Sequence, residues 1–280
     1  MVKASCAVVS EDRKLVVLPL VSLAAVLSTS AVLLFSIWQT DPFVTVVGPY
    51  GESTSKFTPT PAAAAIFVVG TFVVTFIGMS FNAALIVAAN ERLDGGDPTV
   101  RSALAGAMKH AGPIAIWALI SCTISIALRA ASERAGLLGR IVLSITGVVW
   151  SVATFFVLPA MIVEGIGVKA AFRRSKSLLR STWGEQVIGG GMVSVLIIPA
   201  LVILAIVALI LAQLSWIVGL GSFVVGTLLV IAFGNMVSMV FSTVLYKFAQ
   251  NGVAPAGFTA EQLNSAFDRK KPKKKKRFGF

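Results

Sequence analysis

The chain has 280 residues, 56% of them hydrophobic and only 13% charged, with a mean hydropathy of +0.89 and a formal net charge of +12. A water-soluble domain carries about a quarter charged residues, so this composition excludes a soluble globular enzyme and points to a chain that lives in a bilayer. A single histidine and two cysteines exclude a His-rich metal site and a disulfide framework.

A helix of about 20 apolar residues crosses the hydrocarbon core, and it must be a helix because lipid offers no partner to a free backbone N–H or C=O. Six segments reach that length, at 15–38, 62–90, 113–131, 138–163, 187–212 and 217–246. The first follows Glu11, Asp12, Arg13 and Lys14 and lacks a small-residue cleavage site, so it reads as a true span rather than a signal peptide. Residues 39–61 are the sizeable outer connection, where FVTVV and SKFTPT flank a GPYG turn and predict a small hairpin. After the second span, Asp97 and Pro98 read as an N-cap and first helical residue. The short helix they open, PTVRSALAGAMKHA, ends at Gly112-Pro113. Spans three and four are joined near 132–137, and spans five and six near 213–217, so each pair is antiparallel.

The stretch GVKAAFRRSKSLLRSTW, ahead of span five, is amphipathic. Val168, Phe172, Leu179 and Trp183 share one face, and Lys169, Arg173, Lys176 and Arg180 share the other. Such a helix is expected in the membrane interface, its apolar face in the acyl boundary and its cations on anionic lipid. Val100 to Leu104 aligns with Val168 to Phe172, and SEDRKLVVLPL enters the first span similarly. The chain thus reads as three units, each an interfacial helix followed by a membrane hairpin. Residues 1–250 form the six-helix membrane domain. Residues 251–280 form a basic tail, ending RKKPKKKKRFGF, which cannot bury enough apolar area to order itself.

Charge sets the orientation. Twenty of the 24 lysines and arginines lie in gaps on the side of the N-terminus, among them Lys3, Arg92, Arg101, Lys169, Arg173, Arg174, Lys247 and the tail lysines. Lys56, Arg129, Arg134 and Arg140 lie on the other side, with Glu133 offsetting Arg129 at i, i+4 spacing. Both termini are therefore expected in the cytoplasm. The side of the Arg129, Arg134 and Arg140 cluster is the discordant point. Cys6, expected in the cytoplasm, and Cys122, expected in mid-membrane, should not meet.

The segments FNAALIVAANERLDGGDPTVRSAL, WALIS, ERAGLLGRIV, WSVATFFVLPAMIVEG and RSKSLLRSTWGEQ resemble an uncharacterised family of prokaryotic six-span membrane proteins. That family is in turn distantly similar to YciC-like proteins and to the membrane domain attached to some glycerophosphodiester phosphodiesterases. The resemblance covers roughly residues 1–250 and is densest from Phe81 to Gln186. It implies the six-span topology and carries no activity to transfer, since the phosphodiesterase chemistry belongs to a catalytic domain with no counterpart in these residues.

Enzyme signatures are missing from the sequence: there is no HExxH, GxSxG, P-loop or paired cysteine motif. Gly189-Gly190-Gly191 has no lysine after it and reads as a closely packed start to span five. His110 is placed at the end of the first short helix, where the helix dipole favours it. No catalytic residue, metal site or cofactor is expected. The polar residues of interest are Asn82 and Asn235, in spans two and six, and Glu164, near the cytoplasmic end of span four. The amides are expected either to bond across helices or to line a polar pathway. Glu164 is expected to pair with Lys169 or Arg173, or to relay a proton. Pro159 and Pro199 are candidate kinks, and Gly219, Gly221, Gly226 and Gly234 suggest close helix contact in span six. Lys273, Lys274, Lys275 and Lys276 are expected on anionic lipid, with an acidic protein or nucleic acid as the sharper alternative. No aromatic residues interleave these lysines, so nucleic acid is not expected.

The fold class is accordingly all-α: a polytopic protein of the cytoplasmic membrane with six transmembrane helices, cytoplasmic interfacial helices and both ends inside. The leading function is a non-enzymatic scaffold or accessory subunit with a possible membrane-protein partner. The alternative is a permease or lipid-handling protein with a cavity between its hairpins. Oligomeric state, substrate and the role of the loop 39–61 are not legible in the sequence.

Overall fold

A computed structural model describes residues 13–41, 43–47, 53–58, 60–182 and 194–251. In chain order the elements are α1 (Arg13–Trp38), β1 (Phe43–Val47), β2 (Ser53–Phe57), α2 (Pro61–Leu93), α3 (Val100–Met108) and α4 (Ala111–Arg134). There follow α5 (Leu137–Ala153), α6 (Val157–Val163), α7 (Val168–Thr182), α8 (Ser194–Ala212) and α9 (Trp216–Asn251). Apart from one hairpin the described chain is helical. In the hairpin β1 and β2 pair antiparallel, with Phe43 opposite Phe57 and Val47 opposite Ser53.

Among the described residues five helical stretches are long and apolar enough to cross a membrane: Val17–Trp38, Pro61–Leu93, Ala111–Arg134, Leu137–Val163 and Trp216–Gln250. The fifth segment of the sequence reading, 187–212, is described only from Ser194 onward, as α8, whose apolar stretch is Ile197–Ala212; residues 187–193 lie outside the described residues. At 1.5 Å per residue the described part of α8 is about 28 Å long, beside a hydrocarbon core of about 30 Å. Gly189 to Gly191, Trp183, Cys6 and the tail fall outside the described residues. Pro199 sits inside α8 without ending it, whereas Pro159 stands just beyond a true interruption between α5 and α6.

Helix α2 is the hub, packing against α1, α3, α4, α6 and α9. Thr60 caps its start by accepting from the Ala63 amide at 3.1 Å, with Pro61 at the first helical position. Its far half carries Ala83, Ala84, Ala88 and Ala89, all at most 2% exposed. Side chains this small let neighbouring backbones approach closely. Helix α3 uses the same device: Ala103 and Ala107 are buried, and a Cβ on Gly106 would stand 2.8 Å from Val87. The cap of α3 corrects the reading from sequence. Its N-cap is Thr99, not Asp97, because Thr99 and Ser102 exchange bonds of 3.0 and 2.9 Å in a capping box, which starts the helix two residues later.

Burial is uneven along the long helices. The buried core gathers the second half of α2, α3, the start of α4, all of α6, one face of α7 and the last third of α9. The opposite ends are open, with Leu34, Phe35, Trp38, Leu137, Leu138, Leu214 and Trp216 all exposed. Long helices with outward apolar side chains suit a lipid surrounding. The molecule therefore has a closed end and an open end.

Helices α8 and α9 form a tight hairpin. A Cβ on Gly219 would meet the Ala208 carbonyl at 2.8 Å, and one on Gly226 would collide with Leu204, whereas Gly221 has nothing within 4 Å. Two of the glycines flagged in the sequence thus serve a contact within the chain. Gly219→Ala should lower the melting temperature in detergent, by the equivalent of about 1–3 kcal/mol for forced overpacking. Gly221→Ala should leave it unchanged or raise it, since alanine is the better helix former. Equal melting temperatures for the two variants would show that the α8–α9 contact is not close.

Candidate functional site at the closed end

At 1.5 Å per residue, Asn82 lies about 30 Å along α2 from Pro61, and Asn235 lies about 30 Å along α9 from Trp216. The two side chains meet: Asn235 Nδ2 donates to Asn82 Oδ1 at 2.7 Å. This amide pair fastens α9 to the hub helix where the core begins. One turn past it the apolar face of α9 takes over, with Met236, Val240, Val244 and Leu245 all buried.

Further along, the ends of α2 and α9 are joined by charge. Lys247 Nζ reaches Asp94 Oδ1 at 2.6 Å and the Asn90 carbonyl at 3.4 Å. The lysine side chain is 14% exposed and the aspartate 63%, so the aspartate is the solvated partner. Gly95 takes a left-handed conformation at φ 86° directly after Asp94, turning the chain away from the end of α2.

Glu164 is the densest polar node. It ends α6, and its Oε1 accepts from Tyr246 OH at 2.6 Å, Arg174 Nε at 3.0 Å and Gln250 Nε2 at 3.2 Å. One carboxylate oxygen thereby ties α6 to α7 and to α9. Bonds to an ionised acceptor are the stronger kind. The cation that Glu164 pairs with is Arg174, and not Lys169 or Arg173 as the sequence suggested. Arg174 lies on the flank of α7 next to its buried face, whereas Lys169 and Arg173 point outward and are exposed. The Arg174 guanidinium is held above its ordinary pKa, first by hydrogen bonding to Tyr246 and then by the charge of Glu164, against the opposing effect of its burial. It is a cation throughout the working pH range.

The fourth apolar segment breaks at Thr154–Phe156. Pro159 has no N–H for the Phe155 carbonyl and its ring clashes with that carbonyl in a continuous helix. The chain relaxes into tighter turns there, Phe155 N bonding Val152 O at 3.1 Å and Val157 N bonding Thr154 O at 3.0 Å. The Ala153 carbonyl and the Phe156 amide lose their helical partners, and Ser175 of α7 supplies both: its hydroxyl donates to Ala153 O at 2.8 Å and accepts from Phe156 N at 3.3 Å. Ser175 is fully buried.

Helix α7 packs against α4, α5 and α6. Ala171, Ser175 and Leu178 form its buried stripe, and Phe172 stacks on Trp150, which stacks on Trp117, with centroids 6.1 and 5.9 Å apart. The apolar face expected in the acyl boundary is therefore occupied by protein. Lys169, Arg173 and Lys176 face outward and are exposed. The side chain of Arg180, and Lys273 to Lys276, fall outside the described residues.

His110 stands between α3 and α4, its Nδ1 3.2 Å from the Gly106 carbonyl near the end of α3. Cys122 is a free, buried thiol. Arg129 and Glu133 approach to 3.8 Å with both side chains largely exposed. Among the described residues no group of three His, Cys, Asp or Glu side chains is placed to hold a metal ion.

Sequence reasoning missed Ser175, Tyr246, Gln250 and the Asp94–Lys247 pair. A signal existed for one of them. Ser175 is the polar member of an i, i+4, i+7 stripe whose other members, Ala171 and Leu178, are apolar.

Residues 62–258, well over half of the chain, match the model of a family of unknown function, DUF6159, and the chain belongs to that family. No curated protein and no solved structure matches it.

The shared oxygen of Glu164 makes its partners interdependent. Glu164→Ala should cost about 1.5–3 kcal/mol, the range for hydrogen bonds to charged groups, and Tyr246→Phe about half as much. The double variant should cost less than the sum of the two. Strict additivity in melting experiments would mean that Tyr246 and Glu164 are not coupled.

Proposed function

We propose that this member of the family is a six-span protein of the cytoplasmic membrane, both termini inside, that acts as a non-enzymatic scaffold or accessory membrane subunit. The observation that carries the reading is how the polar side chains are used. Asn82 is bonded to Asn235, Asp94 to Lys247, and Glu164 to three donors, so each is engaged in holding helices together. Their depth supports the same view. Transporter sites lie near the bilayer midplane, whereas the amide pair sits a full hydrocarbon thickness from the open ends and the Glu164 node lies deeper still in the closed end. Six spans follow if α8, extended by residues ahead of Ser194, crosses with the five longer helices.

A permease or lipid-handling role is the second reading, and one observation favours it. Thr227 Oγ1 and Asn90 Oδ1 are buried without a hydrogen-bond partner, and such groups are where water or a polar ligand binds.

Purification of the tagged protein in native-lipid discs, followed by mass spectrometry, separates the two. A stoichiometric protein partner is the expected result. A single enriched lipid or small molecule without a partner protein would replace the scaffold by a binding protein. Topology is tested in a Cys6→Ala, Cys122→Ala background with a membrane-impermeant maleimide on intact cells. Leu137→Cys, at the α4–α5 tip, should label from outside, and Ser177→Cys, on exposed α7, only after permeabilisation. The reverse pattern would invert the chain.

A further inference from the structure

Consecutive residues of α7 hold both ends of α6. Ser175 completes the break before it, and Arg174 engages Glu164 at its end. If α7 leaves its seat, the Ala153 carbonyl and the Phe156 amide lose their shared partner in the same event. Seating of α7 and closure of the break are therefore one two-state element.

We infer that the outer face of α7 is a docking surface for anionic lipid, and that lipid engaged there keeps α7 seated and the break closed. The inference rests on the membrane placement proposed above and adds a regulation to it. Position argues for lipid first. Helix α6 ends an apolar segment of membrane-crossing length, and α7 starts four residues past its C-cap Glu164, so it emerges at the bilayer surface. Gly165, at φ 65°, makes the turn that lays it there.

Composition argues next. Residues 165–182 contain five lysines and arginines and no aspartate or glutamate. The one acidic group that faces this helix in the described contacts, Glu164, is engaged with Arg174 on the inner flank and leaves Lys169, Arg173 and Lys176 uncancelled. The division of faces is the third argument. With Ala171, Phe172 and Leu178 committed to the protein, α7 has no apolar face left to insert, so the bilayer reaches it through charge alone. That attraction is graded with lipid composition and screened by salt. A helix held by insertion would respond to neither in the same degree.

The test uses the full chain in nanodiscs of phosphatidylcholine, with or without about a third phosphatidylglycerol, and reads hydrogen exchange in peptides covering residues 150–163. Co-elution with the zwitterionic discs scores membrane placement by itself, and a chain that stays out of them sinks both readings. Within discs, phosphatidylglycerol should slow exchange at Phe156 and Val157 by roughly tenfold or more, from three cations at a charged surface. High salt should reverse the effect. The Lys169→Gln, Arg173→Gln, Lys176→Gln triple variant should lose the response while keeping its melting temperature in zwitterionic discs, and Arg173→Lys should retain it. Ser175→Ala should exchange fast in both lipids. Wild-type exchange that ignores phosphatidylglycerol would overturn the inference, as would protection that survives the triple variant.

Discussion

A helix interrupted at the edge of a bilayer exposes backbone groups that lipid cannot solvate, and each one left unpaired costs several kcal/mol. In this protein the interruption at Thr154–Phe156 is forced by Pro159, and one hydroxyl resolves it. Ser175 both donates and accepts, which few side chains can do from a single atom. Much of the closed end follows from placing that atom. Helix α7 must lie against α5 and α6, its buried stripe must be small enough to approach, and Ala171 provides that one turn earlier. Arg174 then arrives at Glu164 because it is the next residue on the same helix. The Trp117–Trp150–Phe172 stack fixes the roll of α7 about its axis, without which the hydroxyl would miss one of its two partners.

The second constraint is length. At 1.5 Å per residue, α2 and α9 are about 50 and 54 Å long, against a hydrocarbon core of about 30 Å. Roughly 20 Å of each must tilt or project, and the distribution of polar residues along both favours projection at one end. The first residues of α2 and α9 carry no charge, whereas their last two turns hold Arg92, Lys247 and Gln250. The closed ends of α2 and α9 form a platform, and α3, α6 and α7 complete it. Elsewhere the chain relies on side-chain size: Val87 on α2 stands against Gly106 on α3, and Gly219 admits the backbone of α8. Between membrane helices lipid tails are as apolar as leucine, so close packing rather than the hydrophobic effect must hold such contacts.

What the sequence made legible follows from the same physics. Apolar length is a property of single segments, so the long helices could be read directly, as could the pairing of the strands β1 and β2. Asn82 and Asn235 stood out because amides are costly in lipid, but that they meet each other depends on the register of two helices more than 150 residues apart. Glu164 stood out for the same reason, and its partner was missed by one position, since an amphipathic pattern separates faces and does not say which flank turns inward. The cap of α3 shifted from Asp97 to Thr99 because two overlapping cap signals compete and the reciprocal bond with Ser102 decides between them. For α7 the sequence named Val168, Phe172, Leu179 and Trp183 as the apolar face, whereas the stripe buried against protein is Ala171, Ser175 and Leu178, because pattern alone cannot distinguish a bilayer from a protein groove.

These joints make the closed end behave as a unit. Tilting α9 away from α2 would have to break the amide pair and the Lys247–Asp94 bridge together, and sliding it past α6 would strip Tyr246 and Gln250 from the same carboxylate oxygen. The α4–α5 tip and the α8–α9 turn have no comparable cross-links among the described contacts, so they can flex without cost to the platform. Under the lipid docking proposed above, motion that matters to the whole enters through the element whose attachment is electrostatic on one side and hydrogen-bonded on the other. That element is α7, which touches three helices through its buried stripe and leaves its cations outside.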